Sequence, residues 1–368
     1  MLKKSIHIIV RILIPSVSIT PVVFSIIALE LRIAALYHVG MSEMSHPDRL
    51  LYLSRKDIEK VDLSMIEIIE ALENMFREKG EGRTEMPPKP GIHTRPDAFI
   101  HAMPAFVPSL QAAGMKWVSG YPDNPTKGLP YITGLLILND PETGFPVSVM
   151  DCTWITAMRT GAATALSAKY LAQKDSSRVA ILACGVQGRS NLEALACLFP
   201  LTHVSAFDLV PEISLTYAEQ MSRKLGLTIV PVSTPREAVE KADLIVTSGP
   251  ILKNPSPVIE ASWLKQGFFG CALDFDSYWK PEALRAADKI TTDDSKQFNY
   301  YRTEGYFKET PKPYADLGEL AAGKKPGRES DLEKTVAINL GVALSDMTVA
   351  VQIYRRAVHR GIGTWLNL

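Results

Sequence analysis

The sequence predicts an α/β protein with a doubly wound parallel sheet and a separate antiparallel sheet packed with a helix. In the second half of the chain, short apolar runs alternate with amphipathic segments; the runs are residues 179–183, 203–207, 228–232 and 244–247. Strands that alternate with helices at this spacing indicate parallel strands joined by helical crossovers. Upstream, three strand-like runs (115–119, 131–139 and 146–150) are separated by turn signals, which favours antiparallel pairing.

Two further segments are predicted to be helices. Ser64 followed by Glu67 is a capping-box pattern, and an apolar stripe with helical spacing continues to Gly80, which we expect to act as a C′ glycine. Near the C-terminus, the apolar segment 336–358 is predicted to close the chain as helix.

Composition narrows the class of protein. The 368 residues suggest two domains, and 40 Lys+Arg against 40 Asp+Glu leave no basic excess for a nucleic-acid partner. The four cysteines form no CxxC pair and have no zinc-ligand spacing. Reduced thiols in a reducing compartment are therefore the simplest interpretation.

The first 44 residues form a hydrophobic N-terminal extension. Residues 12–29 carry no charge and follow Lys3, Lys4 and Arg11, which is compatible with a membrane anchor. Two prolines and several hydroxyl residues interrupt the run. The alternative is that translation starts at Met41 or Met44, so contact with a membrane is expected only if residues 12–29 are a real anchor.

A nucleotide-binding turn is predicted between the first parallel strand and its helix, at Gly185, Val186, Gln187 and Gly188. Helix N-terminal amides at such a turn bind a dinucleotide pyrophosphate. Ala183 replaces the leading glycine of the usual motif, which we expect the turn to tolerate only with a negative φ. Asp208 ends the second strand, where a carboxylate accepts hydrogen bonds from ribose hydroxyls and repels a 2′-phosphate, so NAD is favoured over NADP.

A series of motifs runs in one unbroken order from about Leu50 to the C-terminus. This series resembles the ornithine cyclodeaminase/μ-crystallin family; its members here are Lys116-Trp117-Val118, Pro122-x-Asn124, Gly128-Leu129-Pro130, Thr133-Gly134, Thr143-Gly144-x-Pro146, Met150-Asp151, Thr156-Ala157-Met158-Arg159-Thr160, Asp316-Leu317-Gly318-Glu319-Leu320, Gly323-Lys324-Lys325-Pro326-Gly327-Arg328, Asn339-Leu340-Gly341 and Asp346.

The resemblance implies a Rossmann-type NAD-binding domain at residues 161–324. It would be inserted in an α+β substrate-binding and dimerisation domain made of residues 45–160 and 325–368. It further implies a cytoplasmic homodimer that uses NAD on an L-amino acid or its imine.

The resemblance also implies roles for individual residues. Arg159 and Lys116 would bind the substrate carboxylate, with Lys89 as a third ligand where relatives carry arginine. Thr133 would lie near the nicotinamide. His101 stands where cyclodeaminases proper place a nearby glutamate that binds the δ-ammonium of ornithine, so His101 either meets a different side chain or is a core histidine.

The catalytic acid–base residue is expected in the segment after the last core strand. Asp276, Lys280 and Glu282 reproduce the family's spacing, although Tyr278-Trp279 replaces its Pro-Gly. Asp274 is the rival, because strand alternation would point it to the same face if the strand continues.

These residues predict hydride transfer at the substrate α-carbon, in a deaminating cyclodeaminase or an amino-acid dehydrogenase. The alternatives are a ketimine or pyrroline-carboxylate reductase, and a non-catalytic μ-crystallin-like protein that binds cofactor or a small ligand.

Overall fold

The structure is a computed structural model that describes residues 48–368. The N-terminal extension at 1–44, its apolar run and the alternative start at Met44 lie outside the described residues. Within residues 48–368, no helix is both long enough and apolar enough to cross a membrane.

The strands, in chain order, are β1 Arg49–Leu53, β2 Gly91–Ile92, β3 Phe99–Val107, β4 Ala112–Gly120, β5 Ile132–Asn139, β6 Pro146–Asp151, β7 Arg178–Leu182, β8 His203–Phe207, β9 Thr228–Pro231, β10 Leu244–Thr247, β11 Phe269–Ala272, β12 Lys289–Thr292, β13 Ala315–Asp316, β14 Thr335–Ile338 and β15 Thr364–Asn367. The α-helices are α1 Arg55–Lys60, α2 Met65–Gly80, α3 Thr153–Leu171, α4 Val186–Leu198, α5 Pro211–Leu225, α6 Pro235–Val239, α7 Pro281–Arg285, α8 Ser295–Thr303, α9 Leu317–Ala321 and α10 Ala343–Arg360.

The first sheet is mixed and has the order β15-β1-β6-β5-β4-β3-β2. Its β2 to β6 ladder is antiparallel, as the turn signals predict. Side chains alternate between its faces. Lys116 and Leu136 are fully buried on the inner face, which α10 covers, whereas Trp117 and Leu135 on the outer face are 44% and 47% exposed.

The second sheet is wholly parallel, with the order β13-β12-β14-β11-β10-β7-β8-β9. The order reverses between β7 and β10, which confirms the predicted doubly wound sheet. Strand β14 lies after the domain boundary that we expect at 324/325, yet it pairs with β11 and β12 in the middle of this sheet.

Helix α2 begins as its sequence predicts. The Ser64 hydroxyl accepts from the Glu67 amide, and the Glu67 carboxylate accepts from the Ser64 amide at 2.9 Å. Gly80, however, is the last helical residue and not a C′ glycine with positive φ. A Cβ there would collide with the carbonyl of Gly318, so Gly80 lets α9 pack closely against α2.

The prediction of one closing helix over residues 336–358 is wrong. Its first residues belong to β14, and α10 begins only at Ala343. Gly341 has φ +80°, a conformation that terminates regular structure and favours glycine. The turn that results brings residues 339–341 to the edge of the parallel sheet.

Helix α3 connects the two sheets and is buried along most of its length. It follows β6 directly and packs against α4, β11 and β14. An arginine on a helix that is buried on nearly every side must have a partner inside the molecule. That arginine is Arg159.

Candidate active site

A cavity of about 780 Å³ lies between the inner face of the mixed sheet and the carboxyl ends of the parallel strands. Ligands bind at this edge in open α/β sheets, at the point where the strand order reverses. Eight of the predicted site residues line it: Lys89, His101, Lys116, Thr133, Arg159, Gly185, Val186 and Gln187. Gly188, Asp208, Asp274 and Asp276 do not contribute to its wall.

The predicted nucleotide turn is open toward the cavity. Helix α4 begins at Val186, and Gly185 at its N-cap offers no side-chain cap to the first amides. A Cβ on Gly185 would meet no atom within 4 Å, and Val186 is 66% exposed. A Cβ on Gly188 would lie 2.6 Å from the Ala183 carbonyl oxygen, so Gly188 allows close packing of helix on strand.

The expectation of a negative φ at Ala183 is wrong, because Ala183 has φ +75°. Its backbone is fixed on both sides: its amide donates to the Phe207 carbonyl at 2.9 Å and its carbonyl accepts from the Ser248 hydroxyl at 3.1 Å. The turn therefore keeps the geometry of a glycine-led motif and places a methyl group in a conformation that L-residues rarely adopt.

Asp208 follows β8 beside this turn. Its carboxylate accepts from the Cys184 amide at 2.8 Å and from the Val210 amide at 3.1 Å. It is half-buried, and a carboxylate that accepts two hydrogen bonds still has lone pairs for a ligand.

A buried ionic cluster forms the opposite wall. The Lys116 ammonium lies 2.7 Å from Asp346 Oδ2, and Arg159 Nε lies 3.1 Å from Asp346 Oδ1. Asp346 on α10 is fully buried, and the two cations are 0% and 7% exposed. One carboxylate therefore orients both predicted carboxylate-binding side chains.

The third cation, Lys89, is held by the turn between β14 and α10. Its ammonium donates to the carbonyls of Leu340 at 2.6 Å and Gly341 at 3.3 Å. Asp293 accepts from the amides of the same two residues at 2.9 and 2.7 Å. A Cβ on Gly341 would lie 2.8 Å from a terminal nitrogen of Arg159, so only glycine leaves room for the guanidinium.

Burial changes the acid–base behaviour of these lysines. It lowers the pKa of Lys89 to about 7, a shift that Asp293 opposes and that Arg159 and Lys116 reinforce. Burial also lowers the pKa of Lys116, with Asp346 acting in the opposite direction.

His101 lies on β3, on the same wall. Its ring stacks on Phe99 with centroids 4.3 Å apart, and its Nε2 lies 3.5 Å from the Tyr301 hydroxyl. Burial, together with the charges of Lys89 and His93, lowers the pKa of His101 to about 3. The imidazole is therefore neutral at physiological pH.

The two aspartates after β11 diverge, contrary to the expectation that they share a face. The strand ends at Ala272, and Phe275 has φ +62°, which breaks the alternation. Asp274 is fully buried and accepts from the Thr247 hydroxyl at 2.9 Å and the Gly249 amide at 3.1 Å.

Asp276 points elsewhere, is half-buried and accepts from the Thr310 hydroxyl at 2.9 Å. Burial raises the pKa of both carboxyls, that of Asp274 to about 7. Lys280, at the predicted spacing from Asp276, pairs with Glu260 at 2.7 Å.

No role was predicted for Asp346 or Asp293, although both organise the site. The signal for Asp346 was present, since a carboxylate in an apolar helix needs a buried partner. The signal for Asp293 was not, because its partners are backbone amides 47 and 48 residues further along the chain.

Comparison with known proteins identifies the family and the fold. The model of the ornithine cyclodeaminase/mu-crystallin family matches residues 50–361. An alanine dehydrogenase from Archaeoglobus fulgidus is 36% identical over 327 residues, which cover 85% of this chain and 97% of that protein.

Two solved structures share the fold. Thermococcus litoralis Δ(1)-pyrroline-2-carboxylate reductase in complex with NADH and L-proline is 34% identical, with a TM-score of 0.78 over 86% of this chain and 99% of its own. An archaeal alanine dehydrogenase dimer with bound NAD is also 34% identical, with a TM-score of 0.77 over the same shares.

Proposed function

The chain belongs to the ornithine cyclodeaminase/mu-crystallin family, and we propose that it is an NAD-dependent enzyme that interconverts an L-amino acid and its imine. The observation that carries the proposal is a cavity in which the predicted nucleotide-binding turn faces three buried basic side chains. The family's other reactions use the same hydride transfer between the α-carbon and the nicotinamide. Cyclodeamination begins with it, and imine reduction runs it in reverse.

The residues of the parallel sheet fit NAD. The uncapped first turn of α4 offers backbone amides to a pyrophosphate, and the lack of a Cβ at Gly185 leaves space for close approach. Asp208 would accept from the adenosine ribose, and its charge favours NAD over NADP. Bound NAD supplies a hydride acceptor, and NADH a hydride donor.

The residues of the mixed sheet fit an α-carboxylate. Arg159 offers a guanidinium whose remaining N–H groups can bind a carboxylate in bidentate fashion. Lys116 and Lys89 add charge from the same side. Because Asp346 and the turn at Gly341 fix all three, the substrate's α-carbon is oriented before chemistry begins.

We assign the proton transfer at the substrate nitrogen to Asp276, with Asp274 as the alternative. Asp276 is half-buried, its pKa is raised by burial, and one of its oxygens is bound by Thr310. Neither aspartate lines the cavity wall, but Asp276 adjoins Phe275, which does, and catalytic hydrogen bonds often tighten only once the substrate is bound. Asp274 instead joins the ends of β10 and β11 through Thr247 and Gly249, which favours a structural role.

The fate of the imine defines the overall reaction. Attack by water releases ammonia and a 2-oxo acid, whereas attack by a side-chain amine releases ammonia and closes a ring. Both begin by removing a hydride from the α-carbon and a proton from the nitrogen.

The proposal includes a homodimer in the cytoplasm. The outer face of the mixed sheet carries an exposed apolar row that suits a second copy: Tyr52, Trp117, Leu135 and Leu366 are 37–47% exposed. The archaeal alanine dehydrogenase relative is a dimer. Cys152, Cys184 and Cys271 are buried free thiols, in keeping with a reducing compartment.

A pair of isosteric variants tests the proposal. Asp276→Asn is expected to lower kcat about 10²–10⁴-fold, the usual contribution of a general base, while NADH binding is unchanged. Asp274→Asn is expected to retain activity within about tenfold, because Asp274 with a pKa near 7 is already partly protonated and asparagine resembles the neutral acid.

The measurements are NADH formation at 340 nm and NADH fluorescence on binding. Loss of activity in Asp274→Asn alone would transfer the acid–base role to Asp274. Tight NADH binding without turnover in the unmodified protein, on any amino acid or imine, would favour a non-catalytic binding protein instead.

A further inference from the structure

We propose that the substrate carries a single carboxylate and an uncharged, apolar side chain, so that neither an ω-amino acid nor an acidic amino acid is the preferred substrate. This inference rests on the proposed function and specifies which amino acids or imines the cavity accepts. It follows from the charges, the aromatic wall and the acidic groups around the three cations.

The buried side chains near the carboxylate site include one more basic group than acidic groups. Lys89, Lys116 and Arg159 are the cations. Asp346 pairs with two of them, and Asp293 is the carboxylate whose field acts on Lys89. When Lys89 is protonated, three positive charges face two negative ones, and the substrate's α-carboxylate supplies the missing negative charge.

Beyond these cations, one part of the wall is formed by uncharged aromatic side chains. It starts beside the carboxylate site, because the Lys89 ammonium lies 5.4 Å from the centroid of the Tyr301 ring. Phe275 packs edge-on against Tyr301 and Tyr306 at 5.1 and 5.2 Å. Stacked and edge-to-face rings of this kind leave an apolar surface for a side chain.

His101 does not add charge to this wall. Its ring lies between Phe99 and Tyr301, with centroids 4.3 and 6.3 Å away. In the neutral form it offers one donor and one acceptor. It can neither hold an ammonium by charge nor neutralise a second carboxylate.

Acidic residues that could bind an ω-ammonium lie at the surface or make hydrogen bonds at the start of helix α3. Among the described residues, the cavity wall contains two, Asp97 and Asp151. Asp151 accepts from the amide of Thr153 at 2.9 Å and from its hydroxyl. Asp97 is exposed and accepts from the Lys253 amide at 3.3 Å.

The remaining cations of the wall lie at its exposed rim, where the Lys253 ammonium is 5.8 Å from the centroid of the Tyr306 ring. Arg95 and Lys253 are exposed, and Arg55 pairs with Glu59 at 3.0 Å. A second carboxylate that met them would stay hydrated and contribute little affinity. An ω-ammonium on the aromatic wall would meet ring faces, whose cation–π attraction is worth about 0.5–2 kcal/mol, but no buried carboxylate that offsets the cost of removing it from water.

The test compares side chains of similar length on the full-length protein. With NAD, L-norvaline and L-leucine are compared with L-ornithine and L-glutamate; with NADH, Δ(1)-pyrroline-2-carboxylate is the cyclic probe. The apolar amino acids, or the cyclic imine, should exceed both charged amino acids in kcat/KM by about 100-fold or more. Equal or better use of L-ornithine or L-glutamate would overturn the inference.

Binding provides a readout that does not need turnover. Calorimetric titration of the NADH-loaded protein should detect L-norvaline or L-proline and give at least about 100-fold weaker binding for L-ornithine and L-glutamate. If no probe turns over but this order of affinities holds, the proposed function fails and the substrate preference stands. Tighter binding of a charged probe, or no binding of any apolar one, contradicts the preference itself.

His101→Glu sharpens the test, with His101→Gln as its matched neutral control. The glutamate places a carboxylate on the aromatic wall, so L-ornithine binding should improve at least tenfold relative to L-norvaline. The glutamine should leave the apolar preference unchanged. Thermal melting of both variants verifies that they fold.

Discussion

The two walls of the cavity are built in different ways. The nucleotide-binding wall is local: Gly185, Gly188 and Asp208 lie within 24 residues, and backbone groups at two strand ends position them. The cationic wall is assembled over long distances, since Arg159 and Asp346 are 187 residues apart and Lys89 and Leu340 are 251 apart. Damage to a remote residue should therefore impair amino-acid binding and spare NAD binding.

Asp346→Asn should have the largest effect on the cationic wall. The substitution leaves Lys116 and Arg159 buried with no carboxylate between them, which costs about 3–5 kcal/mol of unfolding free energy in comparable buried pairs. Denaturant unfolding measures this loss. Calorimetry on the folded fraction should show NADH affinity within about threefold of the unmodified protein, together with loss of amino-acid binding.

Asp208→Asn is the matched control on the nucleotide wall. It should weaken NAD and leave the affinity for the amino acid nearly unchanged. If Asp346→Asn weakened NADH as much as the amino acid, the two walls would not be independent.

The pH dependence of substrate binding should follow the titration of the Lys89 ammonium. Its pKa of about 7 means that the ammonium is present below pH 7 and is lost as the pH rises through that value. The affinity for a carboxylate ligand should therefore fall above pH 7, by at most about tenfold per pH unit.

Lys89→Arg should remove this dependence, because a guanidinium stays protonated. The groups that face Lys89 are Asp293, Arg159, Lys116 and Asp346. An unchanged pH profile in Lys89→Arg would assign the titration to a different group. Dissociation constants for L-norvaline between pH 6 and pH 9, in the presence of NADH, provide the data.

The smallest effect is expected at Ala183. Glycine adopts φ +75° without the steric cost of a Cβ, so Ala183→Gly removes strain of about 1 kcal/mol and loses part of that gain through greater unfolded-state entropy. The net change should be a stabilisation below about 1 kcal/mol with NAD affinity unchanged. Destabilisation in urea would mean that the turn does not strain Ala183.

Local features were predictable from the sequence, and features set by distant partners were not. The capping box at Ser64 and the strand Leu244–Thr247 depend on neighbours in the chain, and both predictions are confirmed. The single helix over residues 336–358 was wrong because the turn at Gly341 is fixed by Asp293 and Lys89, which are remote in sequence.

The site followed the same rule. Lys116 and Arg159 were predicted from the family resemblance, and the structure brings both to the cavity. Asp274 and Asp276 could not be separated from the sequence, because the positive φ of Phe275 that divides them is a property of the folded loop.

The most direct test of the account is an isotope-transfer measurement on the full-length protein. NAD is incubated with a mixture of apolar L-amino acids deuterated at the α-carbon, L-proline and L-norvaline included, and the NADH is analysed by mass spectrometry. We expect NADH that is heavier by about one mass unit, because the hydride leaves the α-carbon directly for the nicotinamide. Unlabelled NADH, or saturated cofactor binding with no NADH formed from any amino acid and no NADH oxidised by any cyclic imine, would contradict it.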